Sequence, residues 1–212
     1  MISRVTFASE ESWLAARGSS LGASEVAALF DAGFLTREKL IAEKVTGKRR
    51  KLYGAAKART NIGKLLEPTI GMLTVADLKR TAPPIACGFT IYKNDAFPHM
   101  HATPDFWLIE GVELIEAKGT GPSGWSKWGD WSGFGNRWKW SDEPPVDVVI
   151  QVQAQLAVTG AVRGHIACLA GTEFKRWTVE RDEELIEMIA DAVKVAVEEI
   201  AAAREGQKEA AQ

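Results

Sequence analysis

The chain has 212 residues, 46% of them hydrophobic and 25% charged, with a formal net charge of −2. That balance predicts one packed domain over residues 1–204 with a disordered tail at 205–212, and excludes fibrous or wholly disordered polymers. No apolar run reaches the roughly 18 residues of a membrane helix and no signal-peptide core follows Met1, so no membrane partner and a cytoplasmic setting are expected. The slight acidity argues against a protein that coats DNA, yet suits one that gathers cations among carboxylates.

In chain order, Ser9 caps a predicted helix ending near Arg17, and a second begins at Ser24 and runs through Val26, Ala27, Leu29 and Phe30. A third starts at Thr36, carries Leu40, Ile41 and Val45 on one face, and stops at Gly47. Residues 61–80 read as a helix with Leu65, Leu66, Ile70 and Leu73 inward, kinked or restarted at Pro68. Between these, Lys44, Lys48, Arg49, Arg50, Lys51, Lys57 and Arg59 form a basic stretch that lines a DNA groove or simply a solvated loop. From Ile85 to Lys118 short β-branched and aromatic runs predict strands. A helix over Val146–Thr159 follows, then strands at Gly164–Ala170 and Phe174–Val179 joined by a turn at Gly171-Thr172. Leu185, Ile186, Ile189, Val193, Val197 and Ile200 mark the inner face of a last helix beginning near Asp182. Strands flanked by helices predict an α/β domain around a central mixed sheet, with α+β as the alternative. The distant Cys87 and Cys168 read as buried thiols.

Chemistry concentrates in Thr103-Pro104-Asp105-Phe106-Trp107-Leu108-Ile109, Glu110-Gly111, and Val112-Glu113-Leu114-Ile115-Glu116-Ala117-Lys118. With Glu110-Gly111 as a two-residue hairpin loop, Ile109 faces Val112 and Asp105 falls opposite Glu116. Opposed residues hold their Cβ atoms about 4.5–5.5 Å apart. Two carboxylates that close repel unless a proton or a cation joins them, and their oxygens favour Mg²⁺, with Mn²⁺ as an alternative. Strand alternation sets Lys118 on the same face, where it can stabilise charge on a phosphate or position a water. A surface hairpin with a cross-strand charge cluster is the competing reading; the apolar Leu114, Ile115 and Ala117 argue instead for burial, where a charge needs a partner.

This stretch resembles the PD-(D/E)xK nuclease motif, and the wider pattern is similar to the phage lambda-type exonucleases, or YqaJ-like viral recombinases. The resemblance rests on Ser12-Trp13 with Arg17, Leu21-Gly22-Ala23-Ser24-Glu25-Val26, Gly63-Lys64-Leu65-Leu66-Glu67-Pro68, Thr103-Pro104-Asp105, Glu116-Ala117-Lys118 and Gln151-Val152-Gln153-Ala154-Gln155-Leu156-Ala157-Val158-Thr159, in the family's order. It implies a restriction-endonuclease-like core and a metal held by Asp105, Glu116, Glu67 and the Ala117 carbonyl. Lys118 would orient the attacking water and Gln151 would contact the site. Arg17, Ser24 and Thr103 match positions that hold a terminal 5′-phosphate, with Thr103 standing where the family has serine. The implied activity is degradation of one strand of duplex DNA, 5′ to 3′, in phage-type recombination within a bacterial host. A single-strand annealing protein and a ring of identical subunits are the implied partners. Ser24 at a helix start would also favour an anion, although a plain N-cap uses the same residue.

Two features stand outside the motif. His99 and His101 straddle one residue on an expected strand and share a face, as a transition-metal pair would. Trp125, Trp128, Trp131, Trp138 and Trp140, five of the chain's eight tryptophans, fall in a segment too rich in Gly and Ser for a helix. Trp128 and Trp138 are expected to stack on unpaired bases, unless the segment is a loop folded on its own aromatics. Competing functions are a structure-selective or nicking endonuclease, since the motif sets the chemistry and not the substrate end, and a noncatalytic nucleic-acid-binding module.

Overall fold

The computed structural model describes residues 1–209 apart from 34, 49–50, 52 and 133–136. Strands run β1 (Ile2–Thr6), β2 (Leu21–Gly22), β3 (Ile85–Ala86), β4 (Thr90–Asn94), β5 (Met100–His101), β6 (Phe106–Ile109), β7 (Glu113–Thr120), β8 (Gly129–Ser132), β9 (Arg137–Trp140), β10 (Arg163–Ala170) and β11 (Glu173–Glu180). Helices are α1 (Glu10–Ala16), α2 (Arg37–Thr46), α3 (Gly54–Asp77), α4 (Val146–Thr159) and α5 (Glu183–Glu209).

Five strands form the central sheet in the order β11-β10-β7-β6-β3. Only β7 and β10 run parallel, pairing Glu116 with Ile166, and the remaining neighbours are antiparallel. The α/β fold with a mixed sheet is therefore as the residue pattern predicts. On one face α3 packs Ile70 against Phe106, Ile115, Ala117 and Ala167. The other face carries Trp107, Leu114, Ile166 and Cys168 against Val152 and Leu156 of α4 and Ile186 and Ile189 of α5. Contact between α4 and β10 is tight at Gly164, where an added Cβ would stand 2.4 Å from Val152 Cγ1. That proximity fixes the height of α4 over the sheet, and so of the glutamines it carries.

Local signals account for most element ends. Ser9 Oγ accepts from Ser12 N at the start of α1, Thr36 Oγ1 accepts from Lys39 N at the start of α2, and Gly47, at φ +68°, ends α2 in the left-handed region. Asp182 Oδ1 accepts from Leu185 N before α5, whose stripe of Ile186, Ile189, Val193, Ala196 and Ile200 is buried. Both cysteines are free and buried, and burial first of all pushes each thiol up to about 12.

Several expectations need correction. α5 continues to Glu209, past the expected end at 204, and 210–212 lie outside the described residues. α3 begins at Gly54 and continues through Pro68, because losing one N–H costs a long helix one hydrogen bond without unpacking its inner face. Leu65 points away from that face and is 77% exposed. The turn after Ser24 is a five-residue 3-10 helix, Val26–Phe30, with Glu25 at its N-cap position and no side-chain cap. β1, pairing antiparallel with β4, was not expected, since all five of its residues are exposed and carry no alternating apolar signal. The tryptophan-rich segment is a short 3-10 turn, Pro122–Lys127, followed by the β8–β9 hairpin.

Candidate active site

Asp105 immediately precedes β6, and Glu116 and Lys118 lie on β7. The hairpin joining these strands has a three-residue loop: Ile109 pairs with Glu113, Val112 N donates to Ile109 O, and Gly111 takes φ +75°. A bulge at Leu108 then absorbs one residue, so Trp107 pairs with Leu114 and Phe106 with Ile115. Extending that register sets Asp105 across from Glu116, as expected, although by a longer loop and a compensating bulge. Asp105 Oδ2 accepts from Ala117 N at 2.7 Å, which ties the carboxylate to the strand bearing Glu116.

Glu116 is 3% exposed and fully hydrogen-bonded. Its Oε1 accepts from Lys118 Nζ at 2.6 Å and from Gln151 Nε2 at 2.6 Å, and its Oε2 accepts from Gln155 Nε2 at 2.6 Å. Gln151 Oε1 in turn accepts from Lys118 Nζ at 3.1 Å. Gln155 is a site residue that the motif reading did not assign, although its position four residues after Gln151 places both on one helical face. The Oε1 of Gln155 is buried with no hydrogen-bond partner among the described residues.

The electrostatics are those of crowded carboxylates. Burial, then the Glu116 and Glu67 charges, drive the Asp105 carboxyl well above its usual range, against Lys118 and the Ala117 N–H. Glu67 of α3 lines the same cleft, and its carboxyl is raised by burial and then by Glu116. At Lys118 burial favours the neutral amine, but Glu116 and Asp105 more than offset it, so its pKa is raised and it stays an ammonium at neutral pH. Among the described residues no group of three or more His, Cys, Asp or Glu side chains is already gathered closely enough to hold a metal ion. Even so, the donors present are oxygens, and burial first, then mutual repulsion, works against ionising Asp105 and Glu67 without a cation beside them. A hard divalent cation fits that set. Ala117 sits on the strand between Glu116 and Lys118, with its side chain on the α3 face.

Beside this cluster, Arg17 Nη2 donates to Ser24 Oγ at 3.3 Å and its guanidinium lies 4.5 Å from the centre of the Trp13 ring. Trp13 Nε1 donates to Thr103 Oγ1 at 3.3 Å. The three residues matched to phosphate binding are thus brought together, in a cleft of about 440 Å³ whose walls also include Glu67, Asp105, Glu116, Lys118 and Gln151. A five-residue 3-10 turn supplies little macrodipole, so attraction for an anion here rests on Arg17 rather than on a helix start.

The sequence model of the YqaJ-like viral recombinase domain matches residues 12–162. The chain belongs to this family. The YqaJ-like fold also matches solved structures: LHK-Exo in complex with dAMP at 22% identity and TM-score 0.68, covering 95% of this chain and 97% of that one. The alkaline exonuclease LHK-Exo from Laribacter hongkongensis matches at 20% identity and TM-score 0.63, with the same coverage. A phage-related exonuclease from Haemophilus somnus 129PT matches at 12% identity and TM-score 0.58, over 85% of this chain and 93% of that one. No curated protein sequence gives a significant match.

Other expectations fall away from the YqaJ-like site. Trp128 is 4% exposed and packs 5.7 Å from Trp177, while Trp138 is half-buried between Trp125 and Trp140. Trp128 is thus taken up in packing against β11, and Trp138 packs against Trp125 and Trp140. His99 and His101 do not form a metal pair: His99 is exposed, and both ring nitrogens of the buried His101 have protein partners. In the basic stretch, Lys44 is buried and paired with Glu25 at 2.8 Å; Lys48, Lys51, Lys57 and Arg59 are exposed, and Arg49 and Arg50 lie outside the described residues.

Proposed function

We propose that this protein is a divalent-metal-dependent DNA exonuclease that hydrolyses one strand of a duplex from its 5′ end, with Mg²⁺ the physiological ion and Mn²⁺ a substitute. The observation that carries this reading is the juxtaposition, in one cleft, of the Asp105–Glu116–Lys118 cluster with the Arg17–Ser24–Thr103 group. A phosphodiester to be cut needs the first, and a terminal phosphate to be counted from needs the second. Asp105, Glu116, Glu67 and the Ala117 carbonyl would hold the metal, which supplies Lewis-acid stabilisation and a lowered pKa for water when bound. Lys118, an ammonium, donates hydrogen bonds to the attacking water or the scissile phosphate and is not the proton acceptor. Gln151 and Gln155 fix the Glu116 carboxylate in one orientation, which spares the reorganisation that a mobile ligand would require.

In this reading the single strand left behind serves an annealing partner in recombination within a bacterial host, and a ring of identical subunits would keep the enzyme on its duplex. Digestion of linear against covalently closed circular duplex with Mg²⁺ tests it. Linear DNA is expected to disappear while the circle survives. Loss of both forms would make the protein an endonuclease, and survival of both would make it a binding module.

A further inference from the structure

His101 is a 1% exposed histidine in the wall of the cleft, and neither the catalytic cluster nor a metal accounts for it. Its backbone is fixed by β2, with Gly22 directly beside it in the parallel register and Ala23 N donating to His101 O at 2.9 Å. Its ring is fixed too, since Nδ1 lies 2.8 Å from Ser20 Oγ. Arg17 Nε donates to His101 Nε2 at 3.3 Å. A guanidinium N–H is always a donor, so Nε2 is the unprotonated nitrogen, and Nδ1 carries the hydrogen and donates to Ser20. Ser20 is itself held, because Lys44 Nζ donates to its carbonyl at 2.8 Å while pairing with Glu25.

The mobile partner is Arg17, a long side chain with much rotamer freedom to lose. With its Nε edge on His101 and its face on Trp13, the guanidinium plane is set and its Nη edge is directed to the side of Ser24. A second observation points the same way. An added Cβ at Gly22 would stand 3.1 Å from His101 Nε2 and 3.2 Å from Arg17 Nη2, so the backbone leaves room for this contact.

We propose that His101 is the positioning residue of end recognition: as a rigid neutral acceptor it orients Arg17 for a bidentate grip on a terminal phosphate. This rests on the reading of Arg17, Ser24 and Thr103 as the phosphate subsite. The test compares digestion of duplexes that differ only in a 5′-phosphoryl or 5′-hydroxyl end by the wild type, Arg17→Ala, His101→Leu, His101→Gln and Gly22→Ala. The wild type is expected to prefer the phosphoryl end and Arg17→Ala to erase the preference. His101→Leu lowers it about tenfold, the size of one charge-assisted hydrogen bond, with the loss in KM rather than kcat. His101→Gln, which restores an acceptor oxygen, retains most of it, and Gly22→Ala loses it as His101→Leu does. Should His101→Leu fail to fold, Ser20→Ala, which removes the partner of Nδ1, is expected to lower the preference in its place. If the wild type and Arg17→Ala behave as stated but His101→Leu or Ser20→Ala keeps the full preference, or loses both ends in equal proportion, His101 is not the positioning residue and the subsite stands. A wild type indifferent to the end overturns both.

Discussion

At Asp105, burial and the neighbouring Glu116 both work against the ionised carboxylate, so ionising it costs the metal-free fold stability. The sign for stability follows: a carboxyl whose folded pKa lies above its unfolded value weakens the fold at neutral pH and ceases to do so as pH falls and it protonates. Asp105→Asn keeps an acceptor for the Ala117 N–H and removes the charge. It is expected to raise the urea midpoint of metal-free protein at pH 7, abolish the further stabilisation that Mg²⁺ confers on the wild type, and reduce DNA cleavage by about a thousand-fold or more. A lowered midpoint with retained Mg²⁺ stabilisation would refute this account of Asp105. His165 is the opposite case, on the α3 face away from the cleft. Burial, then Arg176, push its pKa down to about 4 against the pull of Glu113, with Arg80 also unfavourable and Thr178 Oγ1 at 3.2 Å from Nδ1. Its neutral form is the folded form, so its contribution is complete above about pH 6.5 and is lost as pH falls towards 4. Denaturant midpoints measured across that window should fall less steeply for His165→Gln than for the wild type; parallel slopes would show that His165 is not the group responsible. Asp105, Glu116 and Lys118 were legible because strand alternation and hairpin pairing are local. His101 was not, since its partners Ser20 and Arg17 are about eighty residues away in sequence.

At the scale of elements, the β6–β7 hairpin shows how a correct pairing is reached through an incorrect loop. Glu110-Gly111 is a turn signal, but Gly111 serves as the left-handed residue of a three-residue loop, and the Leu108 bulge restores the register. Apolar alternation on β7 fixes which face Glu116 takes, and a one-residue slip would have put both charged residues among Ile70 and Phe106. The tryptophan-rich segment was misjudged for a related reason. Gly and Ser exclude a helix but permit a hairpin, and Trp125, Trp128, Trp138 and Trp140 cover one another and Trp177 more cheaply than they face water. Trp128 and Trp140 both lie 5.7 Å from Trp177, so the hairpin is pinned to β11. Trp128→Ala is expected to cost about 3–5 kcal/mol in urea unfolding, as buried tryptophan truncations do, with the affinity of the remaining folded protein for single-stranded DNA unchanged. Weakened binding at unaltered stability would return Trp128 to the DNA interface.

Across the whole molecule, the helices and central sheet were legible from hydrophobic periodicity, and the family from motifs in order over residues 12–159, within the 12–162 that the family model matches. What spacing alone did not supply is the convergence. Glu67 arrives from α3, Gln151 and Gln155 from α4, and Arg17 from the end of α1, so the site closes only when both faces of the sheet are packed. An overall charge of −2 coexists with this arrangement because the cationic side chains lining the cleft, Arg17, Lys64 and Lys118, are placed rather than numerous. The most direct test of the central claim is the single-turnover rate of nucleotide release from a linear, 5′-phosphoryl duplex by Lys118→Ala beside the wild type, with duplex affinity measured in parallel. A fall of about a hundred- to a thousand-fold at unchanged affinity is predicted for a residue that acts on the developing charge; a rate within a few-fold of the wild type would place the chemistry elsewhere.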